Sequence, residues 1–394
     1  MTKEVDVIFF VEHKDRELES IKNIVEKLKA RGISAIVLSM YYHVHKLYSY
    51  KAKLYFFPFL INRNDWPASV VYRMYGDSVA YVNMNWEQLI SKVNEEYKKP
   101  QDDFVKNIVK HIAWSDNFKT YLKKYGVRGD SVRVTGNPAN EILFGLSDKK
   151  NSWREKLSAD FGLDENKKWL FMPMNYGWAF SSDNLINAKI QKGYPEDVAW
   201  EYRKYSQKCL KEFIHFISDV ADRHDYEIII RPHPSITEQQ YEEVFKREVG
   251  GVHDSITLNK AYSIREWIVA CEYVGSSWST SVWDAYNIGK EVFLFTPYER
   301  PDWLDVWWNS DVENILPGEK LRFSSNNTET ANEINVSENI AGFSAELLKS
   351  VEKPKRERVI FDTKTNLKIL KCFLLEKGII KSKSLQYDYF DMVK

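Results

Sequence analysis

Arg231-Pro232-His233-Pro234-Ser235 puts a guanidinium, an imidazole and a hydroxyl within five residues, separated by two prolines. Arginine offers a planar fork suited to phosphate or carboxylate, and histidine donates or carries a proton near neutral pH. The prolines fix the backbone, so these groups are presented with little entropy left to lose. A second cluster, "GSSWSTSVWDA", contributes Gly275, Ser276, Ser277, Ser279 and Thr280 ahead of a helical pattern. One helix cap needs one hydroxyl, so the surplus points to an anion held at a helix N-terminus. A third, "MNYGWAF", offers Asn175, Gly177 for close backbone approach, and Trp178 with Tyr176 to flank a ring.

Each cluster follows an apolar β-run. "YEIII" precedes Arg231, "WLFMPMN" (Trp169–Asn175) contains Asn175, and "YVG" ends at Gly275. Such runs read as buried parallel strands, and ligands of open α/β sheets bind at their carboxyl ends. All three turns are therefore expected on one edge of one sheet. Helices are expected near Pro195–Arg223, Thr237–Glu248, and on both sides of "YVG". The amino-terminal half shows the same alternation. Val5–Val11 is a strand, Glu17–Arg31 a helix and Ser34–Ser39 a strand. Further strands are expected at "AKLYFFPFL", "SVVYRMY", "IVKHIAW" and "SVRVTG", with a capped helix at Asp116–Tyr125.

The chain has 394 residues, more than one core usually organises. A domain boundary is expected within the charged interval Ser147–Lys168, giving 1–150, 151–340 and a helical tail, 341–394. Lys plus Arg (56) equals Asp plus Glu (56), so no overall field points to a nucleic-acid partner. Cys209, Cys271 and Cys372 lack metal spacing and read as buried free thiols in a reducing compartment. The amino terminus reads as a first strand rather than a signal peptide, and no run is long enough to span a bilayer. A cytoplasmic location is expected; the tail, which begins "EKPKRERV", reads first as a solvated helix docking back across the domains, and a basic patch in peripheral contact with the inner membrane surface is the alternative.

"RPHPS" followed by a "SS/ST" turn resembles the paired HP and S-S/T motifs of bacterial sialyltransferases and Kdo transferases. "WSDNFKTYLKKYGV…VRVTGNPANEIL" (Trp114–Leu143) and "SIREWIVACEYVGSSWSTSVWDAYNIGKEVFLF" resemble GT-B glycosyltransferases of surface-carbohydrate and capsule biosynthesis. The similarity spans most of Trp114–Phe295. It implies an α/β fold of two Rossmann-like domains facing a cleft, the second holding a nucleotide-sugar. By that resemblance His233 matches the HP histidine, binding the donor phosphate or protonating it as it leaves. Arg231, Pro234, Ser235, Gly275, Ser276, Ser277, Ser279 and Thr280 fall on the nucleotide and phosphate motifs, and Asn175 and Gly177 join them. The pair favours a CMP-activated acid such as Kdo, transferred to a free or lipid-linked glycan of lipopolysaccharide or capsule. A UDP-hexose or CDP-polyol donor is the competing case. The acidic D/E-D/E-G motif of the sialyltransferases has no match.

The catalytic carboxylate therefore stays open. "RMYGDSVAYVNMNWEQL" offers Asp77, in a Gly-containing turn, and Glu87, just inside an expected helix start. A covalent intermediate would need a carboxylate in the donor domain, where Asp183 and Asp197 flank an expected loop, "NLINAKIQKGYP". His13, Tyr75 and Trp178 are the candidates for the acceptor. No DxD-like motif stands at a strand end, so the expectation is a metal-independent enzyme without a cofactor. A non-catalytic nucleotide- or sugar-binding protein and a membrane scaffold are the alternatives of other classes.

Overall fold

Val7–Val11 reads VIFFV, and all five side chains are buried. A strand with no solvent face belongs in a sheet covered on both sides. In the computed structural model it is β1, paired in parallel with β2 (Ala35–Ser39) and β3 (Leu54–Phe57). The parallel strands β4 (Ala80–Asn83), β5 (Lys110–Ala113) and β6 (Val132–Val134) complete the order β2-β1-β3-β4-β5-β6. Alternate residues feed two cores: Ile8 and Phe10 one, Val7, Phe9 and Val11 the other. The helices of this half are α1 (Glu19–Ala30), α2 (Ala68–Tyr75), α3 (Lys92–Lys98), α4 (Asp116–Lys124) and α5 (Pro138–Ser147). The structure describes residues 2–191, 193–223, 225–325, 335–357, 359–382 and 389–393.

After α6 (Lys150–Phe161) a second parallel sheet begins with β7 (Lys168–Pro173). The polar α7 (Asp183–Gln191) and the long α8 (Glu196–Arg223) lead to β8 (Tyr226–Arg231). Then come α9 (Glu238–Val249), β9 (Ile256–Leu258), α10 (Ile264–Ala270), β10 (Tyr273–Ser276), α11 (Thr280–Asn287), β11 (Glu291–Phe295) and β12 (Asn314–Ile315). The order β9-β8-β7-β10-β11-β12 is the doubly wound one, with its switch point between β7 and β10. Here too alternation feeds both faces: Leu170 and Met172 face one core, Trp169 and Phe171 the other.

The chain divides into two compact units, one of Met1–Gln88, Lys98–Ile142 and Ala331–Lys394, the other of Leu89–Tyr97 and Leu143–Thr330. The tail helices α12 (Val336–Ser350) and α13 (Thr363–Glu376) thus belong to the first unit. Val336, Ile340 and Ala341 share a core with Ile21, Ile24 and Leu28 of α1, and Arg31–Glu338 and Arg133–Glu346 ion pairs flank it. Cys209, Cys271 and Cys372 are buried free thiols.

Three local expectations need correction. "SVVYRMY" is the helix α2, not a strand. Its β-branched residues suit a strand, but Ala68, Val71 and Tyr75 recur at helical spacing and are buried together with Val70 and Met74. "NLINAKIQKGYP" is not a loop: it contributes most of α7, a helix in which Ile186 alone is buried and whose apolar signal is correspondingly faint. Glu87 is not inside a helix but in the connection between β4 and α3.

Candidate functional site

In the second unit, β8, β7 and β10 lie side by side and run parallel, so their carboxyl ends bring the three sequence clusters to one edge. The ladder between β7 and β8 runs one bond further, from Met174 N–H to the Arg231 carbonyl at 2.9 Å. Beyond it the chains part. The space under Gly177 is taken by the next turn: a Cβ there would lie 3.2 Å from His233 Nδ1 and 3.4 Å from Ser235 Oγ.

The His233 ring is fixed by its own turn. Ser235 N–H donates to Nδ1 at 3.2 Å, and Ser235 Oγ lies 2.7 Å from the same nitrogen. Nδ1 is therefore the acceptor, and a neutral ring carries its proton on Nε2. Burial, reinforced by Lys189 and Lys260, lowers the pKa to about 4, so the ring is neutral at pH 7. Lys260 also clamps the turn, donating to the carbonyls of Pro234 (3.0 Å) and Ile236 (2.9 Å). Arg231 donates to the Ala261 carbonyl at 3.0 Å, tying the end of β8 to the segment after β9. The result is a neutral hydrogen-bond donor with two lysines beside it, a combination suited to phosphate oxygens.

The serine turn divides into structural and presented hydroxyls. Ser276 and Ser277 are buried, not open to a ligand. Ser276 Oγ donates to the Pro173 carbonyl at 2.7 Å, and Ser277 Oγ bonds Tyr176 OH. They weld β10 to β7. Ser279 caps α11, accepting from Ser281 N–H at 3.4 Å, and Thr280 is exposed on its first turn. Gly275 is dictated by packing, since a Cβ would fall 2.3 Å from Phe293 Cζ and 2.9 Å from Met172 Sδ.

A cation missed in the sequence stands behind this turn. Arg300, in the loop after β11, is largely enclosed, with 9% of its side chain exposed, and donates through Nη2 to the Ser277 carbonyl at 3.2 Å. Its Nε has no hydrogen-bond partner, and neither has Asn175 Oδ1 at the end of β7. Both atoms are enclosed, so each is a polar group whose bonding the described side chains leave unmet. "YER", at Tyr298–Arg300 just past an apolar strand, was the available signal. Trp178 reaches the same edge, stacking on Tyr202 at 4.7 Å, and Tyr202 meets Trp303 at 5.0 Å. Asp183 and Asp197 are both exposed: Asp183 pairs with Arg203, and Asp197 lies in the first turn of α8, where the dipole favours an acid.

In the first unit the carboxyl ends of β1 and β2 carry a second polar cluster. His13 follows β1, its Nε2 4.0 Å from Glu12 Oε1, which accepts from Tyr41 OH at 2.9 Å. Arg16 joins Glu17 at 2.7 Å and Glu87 at 2.9 Å, and Lys98 completes the Glu87 pair. Desolvation by its neighbours opposes ionisation of Glu87, which is 45% exposed, but Lys98 and Arg16 prevail and hold its pKa near 2, too low for an effective base at neutral pH. Glu17, one residue from Arg16, has the reverse balance. Complete burial outweighs Arg16 and raises its pKa to about 7. Its Oε2 accepts Glu12 N–H at 2.8 Å, so this carboxyl orders the loop that carries Glu12, His13 and Arg16. The acid–base run "VEHKDRE" was its signal.

Two residues assigned to the acceptor side do not fit there. Asp77 is exposed in the turn Gly76–Ser78 that enters β4, at the amino-terminal edge of the parallel sheet, opposite His13 and Glu87. The reason is α2: with a helix in place of the expected strand, that turn begins a strand instead of ending one. Tyr75 is 2% exposed in the core, its ring 5.8 Å from Tyr55, and presents no surface to a ligand. Among the described residues, no group of three or more His, Cys, Asp or Glu side chains is placed to hold a metal ion.

No protein-family model matches the chain. No curated protein matches it in sequence. Solved structures do. The UDP-GlcNAc 2-epimerase from Neisseria meningitidis bound to UDP-GlcNAc is 12% identical, covering 96% of this chain and 98% of that chain, with a TM-score of 0.52. UDP-N-acetylglucosamine 2-epimerase from Rickettsia bellii is 13% identical over 88% of this chain and 96% of that one, TM-score 0.53. The UDP-GlcNAc 2-epimerase from Methanocaldococcus jannaschii is 12% identical over 94% and 99%, TM-score 0.50. At these identities the likeness is one of fold, and the fold of this chain is the GT-B glycosyltransferase-like one, with two Rossmann-like domains.

Proposed function

We propose that the chain is a nucleotide-sugar-dependent glycosyltransferase whose second unit holds the donor at the ends of β8, β7 and β10. The observation that carries this reading is His233: a neutral ring with its proton on Nε2, in the field of Lys189 and Lys260, beside the switch point of a doubly wound sheet. In this reading Nε2–H donates to a donor phosphate oxygen, the lysines offset the charge that grows on the leaving phosphate, and the first turn of α11 faces the same anion. Arg300 and Asn175 are the candidates for the nucleotide's remaining contacts. In the first unit His13, with Glu12 behind it, is the candidate to contact an acceptor hydroxyl. The HP and S-S/T pair supports a CMP-activated acidic sugar such as Kdo, and the similarity in fold to enzymes named for UDP-GlcNAc supports a UDP-sugar. That similarity also favours a second reading, epimerisation of a UDP-sugar with no acceptor.

A thermal-shift panel of CMP, CDP, UDP, GDP and ADP tests the donor site, because a ligand that binds only the native state raises Tm with concentration. A selective shift lost in His233→Ala supports the site, and no shift with any nucleotide overturns it. Incubating the matching nucleotide-sugar and following it by NMR then separates the activities. A 2-epimer formed without acceptor establishes epimerisation. Nucleotide released only when a glycan acceptor is present establishes transfer.

A further inference from the structure

The side of α13 turned away from the first unit is covered by nothing among the described residues. Ile369 and Cys372 enter the core beside Val44 and Leu47, while Leu367, Leu370 and Phe373 are 59%, 49% and 38% exposed. At about 100° per residue, Leu367, Leu370 and Leu374 form one stripe, opposite Ile369, Cys372 and Glu376. Ile360, 95% exposed, precedes the helix, and the exposed Ile379 and Ile380 follow it. Single exposed apolar side chains need no explanation. Here, among the described residues, six of the fourteen large apolar side chains that stand exposed fall between Ile360 and Ile380. A concentration of that kind marks an interaction surface.

The charges on this surface have one sign. Lys364, Lys368, Lys371, Lys377 and Lys381 are exposed. Glu376 is the one acid between Thr363 and Ser382, and it is turned inward to Lys46 (2.6 Å) and His45 (2.8 Å). Asp362, just before the helix, is engaged by Arg73 at 2.7 Å and by its cap to Thr365 N–H. Lys364, Lys368 and Lys371 run along one flank of the leucine stripe. An apolar ridge edged by lysines, with the carboxylates of Glu376 and Asp362 already paired to cations, is complementary to a layer that is apolar inside and anionic at its surface.

We propose that α13 is an interfacial anchor that lays the first unit on a membrane surface rich in anionic phospholipid. Leu367, Leu370 and Leu374 enter the headgroup boundary, and the lysines meet the phosphates. No helix among the described residues is long and apolar enough to cross a membrane, so α13 lies on the bilayer. The proposal is independent of the donor site.

The test sediments the full chain with vesicles of phosphatidylglycerol and phosphatidylethanolamine, or of phosphatidylcholine alone. The expected result is binding to the anionic vesicles, roughly tenfold weaker on phosphatidylcholine, and reduced near 1 M salt, where the Debye length is about 3 Å. Leu367→Asp with Leu370→Asp, and separately Lys364→Glu with Lys371→Glu, should each lower binding by about tenfold or more. These positions are exposed, so Tm and the nucleotide shift should stay unchanged, and the lysine pair remains decisive should the leucine pair fail to fold. Failure to bind anionic vesicles, equal binding to both kinds, or wild-type binding by both variants overturns the proposal. So does a dimer seen by light scattering and dissolved by the leucine variant without vesicle binding, which would assign the ridge to a second copy of the chain.

Discussion

His233 is held in one tautomer by a backbone N–H and kept neutral by burial and two lysines, and this sets its testable behaviour. His233→Ala should reduce turnover by about 10²-fold or more, the range for a positioned proton donor, with little change in Tm because the ring is part-exposed. Steady-state kinetics with circular dichroism checks it, and a near-normal rate removes the histidine from the chemistry. The serines behave differently. Ser276→Ala with Ser277→Ala leaves the Pro173 carbonyl without its partner and leaves Tyr176 OH only its long 3.4 Å bond to the Cys209 carbonyl. The double variant should lose stability by about 1–3 kcal/mol per buried group left unpaired. Denaturant unfolding measures it, and unchanged stability would return those hydroxyls to a ligand role.

At the scale of elements, two glycines separate packing from chemistry. Gly275 sits where β10 passes Phe293 of β11, and Gly275→Ala forces a contact of 2.3 Å with a ring enclosed on all sides. Overpacking of this kind costs about 1–3 kcal/mol and should appear as a lower Tm. Gly177→Ala presses on His233 Nδ1 at 3.2 Å, a milder contact against a part-exposed ring. It should lower activity far more than Tm. Equal effects of the two substitutions on the ratio of activity to stability would show that the His233 turn has no special position.

Over the whole molecule, stability should fall as pH is lowered from about 6.5 to 4. His43 and His111 are buried, and burial lowers each pKa to about 4. The unfolded chain therefore takes up protons near 6.5 that the folded chain refuses until about 4, and linkage favours unfolding across that window. Glu17 acts in the opposite sense: its folded pKa near 7 lies above the unfolded value of 4.5, so its proton is bound preferentially by the fold between those limits. His233, also lowered to about 4, adds to them, and with three histidines against one carboxyl the net slope should be toward acid instability. Tm measured across that range should drop for the wild type and more gently for His111→Gln. A flat wild-type profile would contradict the burial of these rings.

The alternation of apolar strands and helices determined the α/β class, and the prolines, glycines and hydroxyls at strand ends determined which turns would meet. Both are local: a buried parallel strand needs a continuous apolar run, and its exit needs residues that cannot continue it. The meeting of Gly177, His233 and Ser277 at adjacent strand ends was legible for that reason. Which member of each cluster is presented and which is buried was decided by tertiary packing. Ser276 and Ser277 look like ligand groups until Pro173 and Tyr176 occupy them, and Arg300 and Glu17 look like surface charges until packing encloses most of the one and all of the other. The edge on which Asp77 lies also depended on whether "SVVYRMY" coils or extends, a choice that β-branched content misstates and burial resolves. Propensity and periodicity report what a segment can do, but hydrogen-bond partners, desolvation and the sign of a pKa shift arise only when residues distant in sequence share a volume without water.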